Sequence, residues 1–256
     1  MISDDIYPLK RWFREYVRSF YSEDPDIQAH VRLKEDHTAR VCERMTELAE
    51  SLRLEPERSI LAQTVALFHD VGRFQQYTQY RTFNDFRSED HACMGVRILK
   101  ETGVLGKLPE VQQVLVQKAV RYHNGREIPP DSEESVYLSR MIRDADKIDI
   151  LEMITNEDAL FQMLPMPEYG ELEKVSAGTL NCILQGAVAR FEHIRTSADL
   201  MLFRMSWMFD MNFPWTFRKV QERNYLEKMA EKLPESPEVQ RAVDSLKQYR
   251  DQRAVE

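Results

Sequence analysis

The sequence predicts an all-α protein, and three observations carry that expectation. Apolar residues recur three and four apart along most of the chain, the period of a helix with one buried face. No run of period-two alternation stands out. Glycine is scarce, at 8 of 256 residues, and strand signals are weak. Hydrophobic residues make up 43%, enough for a substantial core, and the remaining composition argues against disorder as the main state.

The elements follow in order. Residues 7–21 read as a first helix. Residues 37–53 read as a second, with Val41, Met45, Leu48 and Leu52 on one face and Asp36 available as N-cap. Residues 58–70 form a third, which Gly72 closes as the residue after the C-cap. Residues 72–90 read as irregular and polar. Residues 91–102 form a fourth helix, with Ser88 and Asp90 as capping candidates. Pro109 opens a fifth that runs to His123, where Asn124-Gly125 stops it. Residues 124–133, with Pro129-Pro130, read as a loop, and 134–155 as a sixth helix. After a Pro-rich stretch near 165–167, helices are expected at about 178–194, 197–212, 215–232 and 236–252, with Pro214 separating two of them. The expected organisation is a domain over 1–156, whose motif-bearing core spans about 30–155, and a helical extension over 157–256 packed on it.

Charge and cysteine usage exclude several classes of function. A net charge of −8 and a pI near 5.4 disfavour an extended nucleic-acid surface or an anionic membrane as partner. A small phosphate-bearing substrate remains compatible, because metal ions reverse the local field. Cys42, Cys93 and Cys182 show neither a disulfide framework nor metal-binding spacing, and the N-terminal residues lack an apolar signal stretch. The most apolar segment, Leu200 to Phe213, carries Arg204 and Asp210 and is too short to span a bilayer. A cytoplasmic location is expected.

The chemistry concentrates in one half of the chain. His37 lies four before Val41, and His69 lies four after Val65. His91 lies four before Gly95, His123 four after Ala119, and Asp146 four after Ile142. Each spacing puts a ligand-type residue on the apolar side of its helix, and His69 brings Asp70 with it. Any one such histidine is more often a satisfied core residue, but the set of six is not expected from chance. Imidazole and carboxylate donors without thiolate suit Mn, Fe, Co, Ni or Zn better than Ca or Mg. Four histidines and two aspartates suit two ions with Asp70 as bridge, an arrangement that activates water for phosphoryl displacement without a protein nucleophile. Asp144 competes with Asp146 as the last ligand. Arg73 and Lys147 are candidates to pair with phosphate oxygens, beside the alternative of ordinary ion pairs. Arg81, Asn84, Asp85 and Arg87 mark a polar segment that reads either as a substrate lid or as a connector. The recurring Met201, Met205, Met208 and Met211 read as core, or else as a homodimer interface or an apolar wall for a nucleobase. His30 and His193 fit no constellation.

The ordered set His37, His69-Asp70 and Asp146 resembles the HD-domain superfamily of metal-dependent phosphohydrolases. The string His69-Asp70-Val71-Gly72-Arg73 is similar to the family's His-Asp-x-Gly-Lys/Arg core. The resemblance implies an all-α helical bundle with His37, His69, Asp70 and Asp146 as the basic ligand set; it favours Asp146 over Asp144 because a basic residue, Lys147, follows it. His91 and His123 look like the extra pair of the two-metal branches. Tyr122-His123-Asn124-Gly125 departs from the double histidine of some phosphodiesterase branches. The expected activity is hydrolysis of a nucleotide or other small phosphoester, with Asp70, Arg73 and Lys147 as the catalytic residues. A di-iron oxygenase and a non-catalytic nucleotide-binding module are the alternatives.

Overall fold

A computed structural model describes residues 6–156 and 174–255. Among these residues every regular element is helical, as the periodicity predicts. The chain divides into two compact units, Met1–Asp149 and Ile150–Glu256, with the boundary inside a helix. The Pro-rich stretch near 165–167 lies outside the described residues. No helix among those described is long and apolar enough to cross a membrane.

The first unit contains the ligand-type residues. Helix α1, Tyr7–Arg18, buries Leu9, Phe13 and Val17 at a strict spacing of four. Helix α2, Pro25–Ser51, starts twelve residues before the expected position. The reason is local: Pro25 opens the first turn, and the Asp24 carboxylate accepts from the backbone N–H groups of Asp26 and Ile27. Asp36 is therefore an interior residue and not a cap. Helix α3, Pro56–Phe68, is buried on every side of its last turn, Thr64 through Phe68.

Gly72 does not terminate this helix. His69 and Asp70 form a corner, and α4 begins at once, over Val71–Tyr80, where an irregular segment was expected. Gly72 lies inside α4, and its value is the absence of a side chain. A Cβ there would stand 2.2 Å from the His91 carbonyl oxygen and 2.8 Å from the Gly95 backbone nitrogen. The two glycines let α4 and α5 (His91–Thr102) pack backbone to backbone. Only residues 81–90 are irregular, with a single 3-10 turn at Asp85–Arg87. Asp90 caps α5 by accepting from the Cys93 N–H, and Gly103 follows that helix in the left-handed region, at φ 61°. Helix α6 spans Glu110–Tyr122 behind Pro109, and α7 spans Glu133–Asn156.

In the second unit the helices expected at 178–194, 197–212 and 215–232 are shorter or broken, whereas the last matches its expected position. The observed helices are α8 (Ala177–Leu184), α9 (Ser197–Met205), α10 (Pro214–Glu222), α11 (Tyr225–Ala230) and α12 (Pro237–Ala254). The expected 215–232 helix breaks where Asn224 adopts a left-handed conformation, φ 54°. Met201, Met205, Met208 and Met211 are all buried, which is the core reading of that stripe.

The Gly72 contact gives a direct test. Gly72→Ala is expected to destabilise the fold by about 2 kcal/mol or more, because backbone atoms of α5 must retreat. Denaturant unfolding followed by circular dichroism measures it. A variant as stable as the parent would mean that α4 and α5 are not held this closely.

Candidate metal centre

Six side chains that the sequence singles out meet in the first unit. His37, on α2, and Asp146, on α7, come from helix interiors, and His91 opens α5. His69 and His123 occupy the C-caps of α3 and α6. Asp70 occupies the corner after α3; it precedes α4 but donates no cap, which leaves both carboxylate oxygens for the interior. His37, His69, Asp70, His91 and His123 are all nearly inaccessible, and Asp146 keeps 18% of its side chain exposed.

Asp70 divides the cluster in two. Its Oδ2 lies 3.6 Å from Nε2 of both His37 and His69. Its Oδ1 lies 3.3 Å from His91 Nε2 and 3.7 Å from His123 Nε2. His37 and His69 approach each other at 3.3 Å through Nε2, and His91 and His123 at 3.1 Å. Asp146 joins the first group, with Oδ1 3.1 Å from His37 Nε2 and 3.8 Å from His69 Nε2. Thus His37, His69 and Asp70 form one potential ligand group, and Asp70, His91 and His123 form another. It is Asp146 that reaches the histidines; Asp144 is buried one turn-fraction away on the same helix.

The outer nitrogens explain why the inner ones face the centre. His69 Nδ1 donates to the Ala66 carbonyl at 2.8 Å, and His123 Nδ1 to the Val120 carbonyl at 2.7 Å. Both are carbonyls three residues back, among those a helix end leaves unsatisfied. His91 Nδ1 donates to Asp85 Oδ2 at 2.8 Å. With the proton held outside, the Nε2 lone pair points inward, the form a metal binds. Burial lowers the pKa of His69 and of His91 to about 4, so both stay neutral near neutral pH.

His37 behaves differently. It sits between Asp149 Oδ2, 2.6 Å from Nδ1, and Asp146 Oδ1 on Nε2. Burial and Lys34 lower its pKa, but these two carboxylates outweigh them and raise it. Asp149 is itself clamped by Arg40, whose Nε donates to Oδ1 at 2.6 Å. Burial pushes the Asp70 carboxyl up, yet Lys34 and His69 overcome this and hold it well below the usual carboxylate range. The cluster is therefore rich in inward lone pairs and carboxylate oxygens. That donor set fits divalent transition-metal cations.

Arg73 lies 3.5 Å from Asp70 Oδ1 through Nε, but its Nη1 is engaged: it donates to Gln76 Oε1, the Phe83 carbonyl and Asp85 Oδ1. Lys147 is buried on α7 beside Asp146. Two contributors, Lys34 and Asp149, were not singled out by the sequence reading, and Asp85, read there as part of a lid or connector, has an orienting role. Lys34 donates to Asp70 Oδ2 at 2.7 Å, Asp149 orients His37, and Asp85 orients His91. Lys34 and Asp149 each lie three residues from a predicted ligand, His37 or Asp146, which was the available signal. Of the histidines without an assigned role, His30 stacks on Tyr77 with ring centres 3.9 Å apart, and His193 Nδ1 lies 3.7 Å from Cys182 Sγ.

Residues 35–151 match the family model described as the HD domain. This segment is an HD domain. The matched segment spans every histidine and aspartate of the cluster, and members of the HD-domain superfamily are metal-dependent phosphohydrolases. No curated protein and no solved structure matches the chain.

The contact between His37 and Asp149 predicts a measurable dependence. Asp149→Ala is expected to weaken divalent-metal affinity by about 10- to 100-fold while helix content is retained. A chelator-competition titration with Mn²⁺ or Zn²⁺ reads the first quantity and circular dichroism the second. Unchanged affinity would remove Asp149 from the support of the HD-domain site.

Proposed function

We propose that the HD domain of this protein is a two-metal phosphohydrolase acting on a small phosphoester, with a nucleotide as the leading substrate class. One observation carries the reading: the two oxygens of Asp70 face different histidine pairs. A carboxylate placed this way can bridge two cations roughly 3.5–4 Å apart, and such a pair supplies an activated water and clamps both oxygens of an in-line phosphoryl displacement.

The chain's own residues then have definite tasks. His37, His69 and Asp146 would hold one cation, and His91 and His123 the other, with Asp70 available to both. Asp149 and Asp85 fix the rings of His37 and His91 through Nδ1. Arg73 braces Asp85 and the 81–90 segment, because its Nη1 bonds both Asp85 Oδ1 and the Phe83 carbonyl. Its remaining contact, Nε with Asp70 Oδ1, keeps it at the edge of the bridging carboxylate. Lys147, which follows Asp146 on α7, is the second basic candidate to pair with a phosphate oxygen. The protein chain offers no Ser or Cys nucleophile in this reading, so the attack on phosphorus falls to water.

Metal content and turnover test this together. The purified protein, loaded with Mn²⁺, is expected to hold two ions per chain by elemental analysis and to hydrolyse at least one member of a panel of nucleotides and generic phosphoesters. Asp70→Ala should lose metal and lower turnover at least about a hundredfold with the helical spectrum preserved. Two bound ions without hydrolysis of any phosphoester would sink the proposal. Turnover with redox-inert Zn²⁺ would exclude a di-iron oxygenase.

Removal of the cations has a structural consequence. Chelation is expected to lower the melting temperature by several degrees, because a ligand that binds only the folded state stabilises it by mass action. Differential scanning calorimetry with and without a chelator gives the comparison, and an unchanged melting temperature would argue against resident metal.

A further inference from the structure

Lys34 projects from α2 on the same side as His37, one turn earlier. Its ammonium donates to Asp70 Oδ2 at 2.7 Å. That oxygen is the one that faces His37 and His69. A divalent cation held by those histidines takes the same oxygen. It would then stand within about 4 Å of the ammonium, where like charges repel strongly.

The lysine is built to give way. Its side chain keeps 15% exposure, at the edge of the cluster where Asp146 is also partly exposed. Its ammonium lies over the Phe83 ring, 5.3 Å from the centre, a cation–π contact that holds the head beside Asp70 without a second anion. The carboxylates nearby are already committed: Asp146 and Asp149 to His37, and Asp85 to His91 and Arg73. With these carboxylates occupied, an ammonium displaced from Asp70 is placed to meet an anion from outside the protein. Arg73 also lies over Phe83, at 5.6 Å, but its Nη1 is held by Gln76, Phe83 and Asp85, and its Nε stays 3.5 Å from Asp70 Oδ1. Arg73 is thereby tied to the loop, whereas the Lys34 ammonium is bonded to Asp70 Oδ2 itself.

We propose that Lys34 binds the anionic group of the substrate, its ammonium passing from Asp70 Oδ2 to a non-bridging phosphate oxygen. This rests on the two-metal hydrolase reading and adds a substrate-binding residue to it. No bond is made or broken; one charge-assisted hydrogen bond replaces another. The exchange also gives the site an order of events. Metal first displaces the internal cation, and only then is a cation presented to the substrate.

Lys34→Met and Lys34→Arg in the full-length protein test the exchange. The probes are Mn²⁺ alone, then inorganic phosphate titrated into the Mn²⁺-loaded protein, both by calorimetry. Lys34→Met is expected to bind Mn²⁺ at least as tightly as the parent, because a competing cation is gone. Its phosphate affinity should fall about tenfold or more, and the KM of any phosphoester substrate should rise in step. Lys34→Arg keeps the charge and should recover most of the phosphate affinity. Lys34→Met with unchanged phosphate binding overturns the inference, as does loss of Mn²⁺ binding in that variant, which would make Lys34 a support of the metal site. A loaded parent protein that binds no phosphate overturns it too. These outcomes are separable from the hydrolase reading, which stands or falls on the metal count and turnover of the parent protein. A parent that binds no Mn²⁺ removes both.

Discussion

A carboxylate buried inside a helical bundle must be answered by positive charge, and Asp70 is such a carboxylate, with 3% exposure. Its neighbours are arranged around that demand. Lys34 and Arg73 approach it from α2 and α4, and four imidazoles approach from α2, α3, α5 and α6. Leaving one side of this arrangement empty would cost several kcal/mol. Five helices or helix ends of the first unit thus deliver donors to the interior as well as apolar faces.

The corner between α3 and α4 shows how the backbone meets that demand. His69 stays helical while Asp70 does not, so two adjacent side chains both enter the cluster. Two residues on, Gly72 lets α5 approach until only bare backbone fits, and this brings His91 to the second oxygen of Asp70. A side chain at position 72 would push His91 away from Asp70 as well as loosen the fold. The helix-end histidines add a second economy. His69 and His123 satisfy terminal carbonyls with Nδ1 and thereby aim Nε2 at the centre.

The segment at 81–90 is tied to the same constraint. Asp85 receives Arg73, Gln76 and His91, and Arg73 and Gln76 also hold Phe83, Ser88 and Glu89, so a stretch with almost no regular structure is pinned at several residues. Phe83 is buried beside Lys34 and Arg73, while Phe86 is 87% exposed. The loop therefore contributes an orienting carboxylate and an aromatic ring to the surroundings of the site.

Much of this was legible in the amino-acid order. Periodicity marked the long helices because each has one buried face, and it put His37, His91 and Asp146 on those faces. The adjacency of His69 and Asp70, with the remaining ligands in order around them, identified the family. The sequence did not show α4, since a helix whose glycine serves a neighbour's backbone looks like a loop from its composition. It did not show the early start of α2, where a proline and a carboxylate at the first turn outweigh a polar stretch. Nor could it assign Lys34, Asp85 or Asp149 to their partners. Lys34 lies 36 residues from Asp70, and Asp149 lies 112 from His37. Helical spacing is a local rule and reveals which side of its own helix a residue occupies. Which oxygen of Asp70 meets which imidazole depends on helices packing across the bundle, and only the tertiary structure decided it.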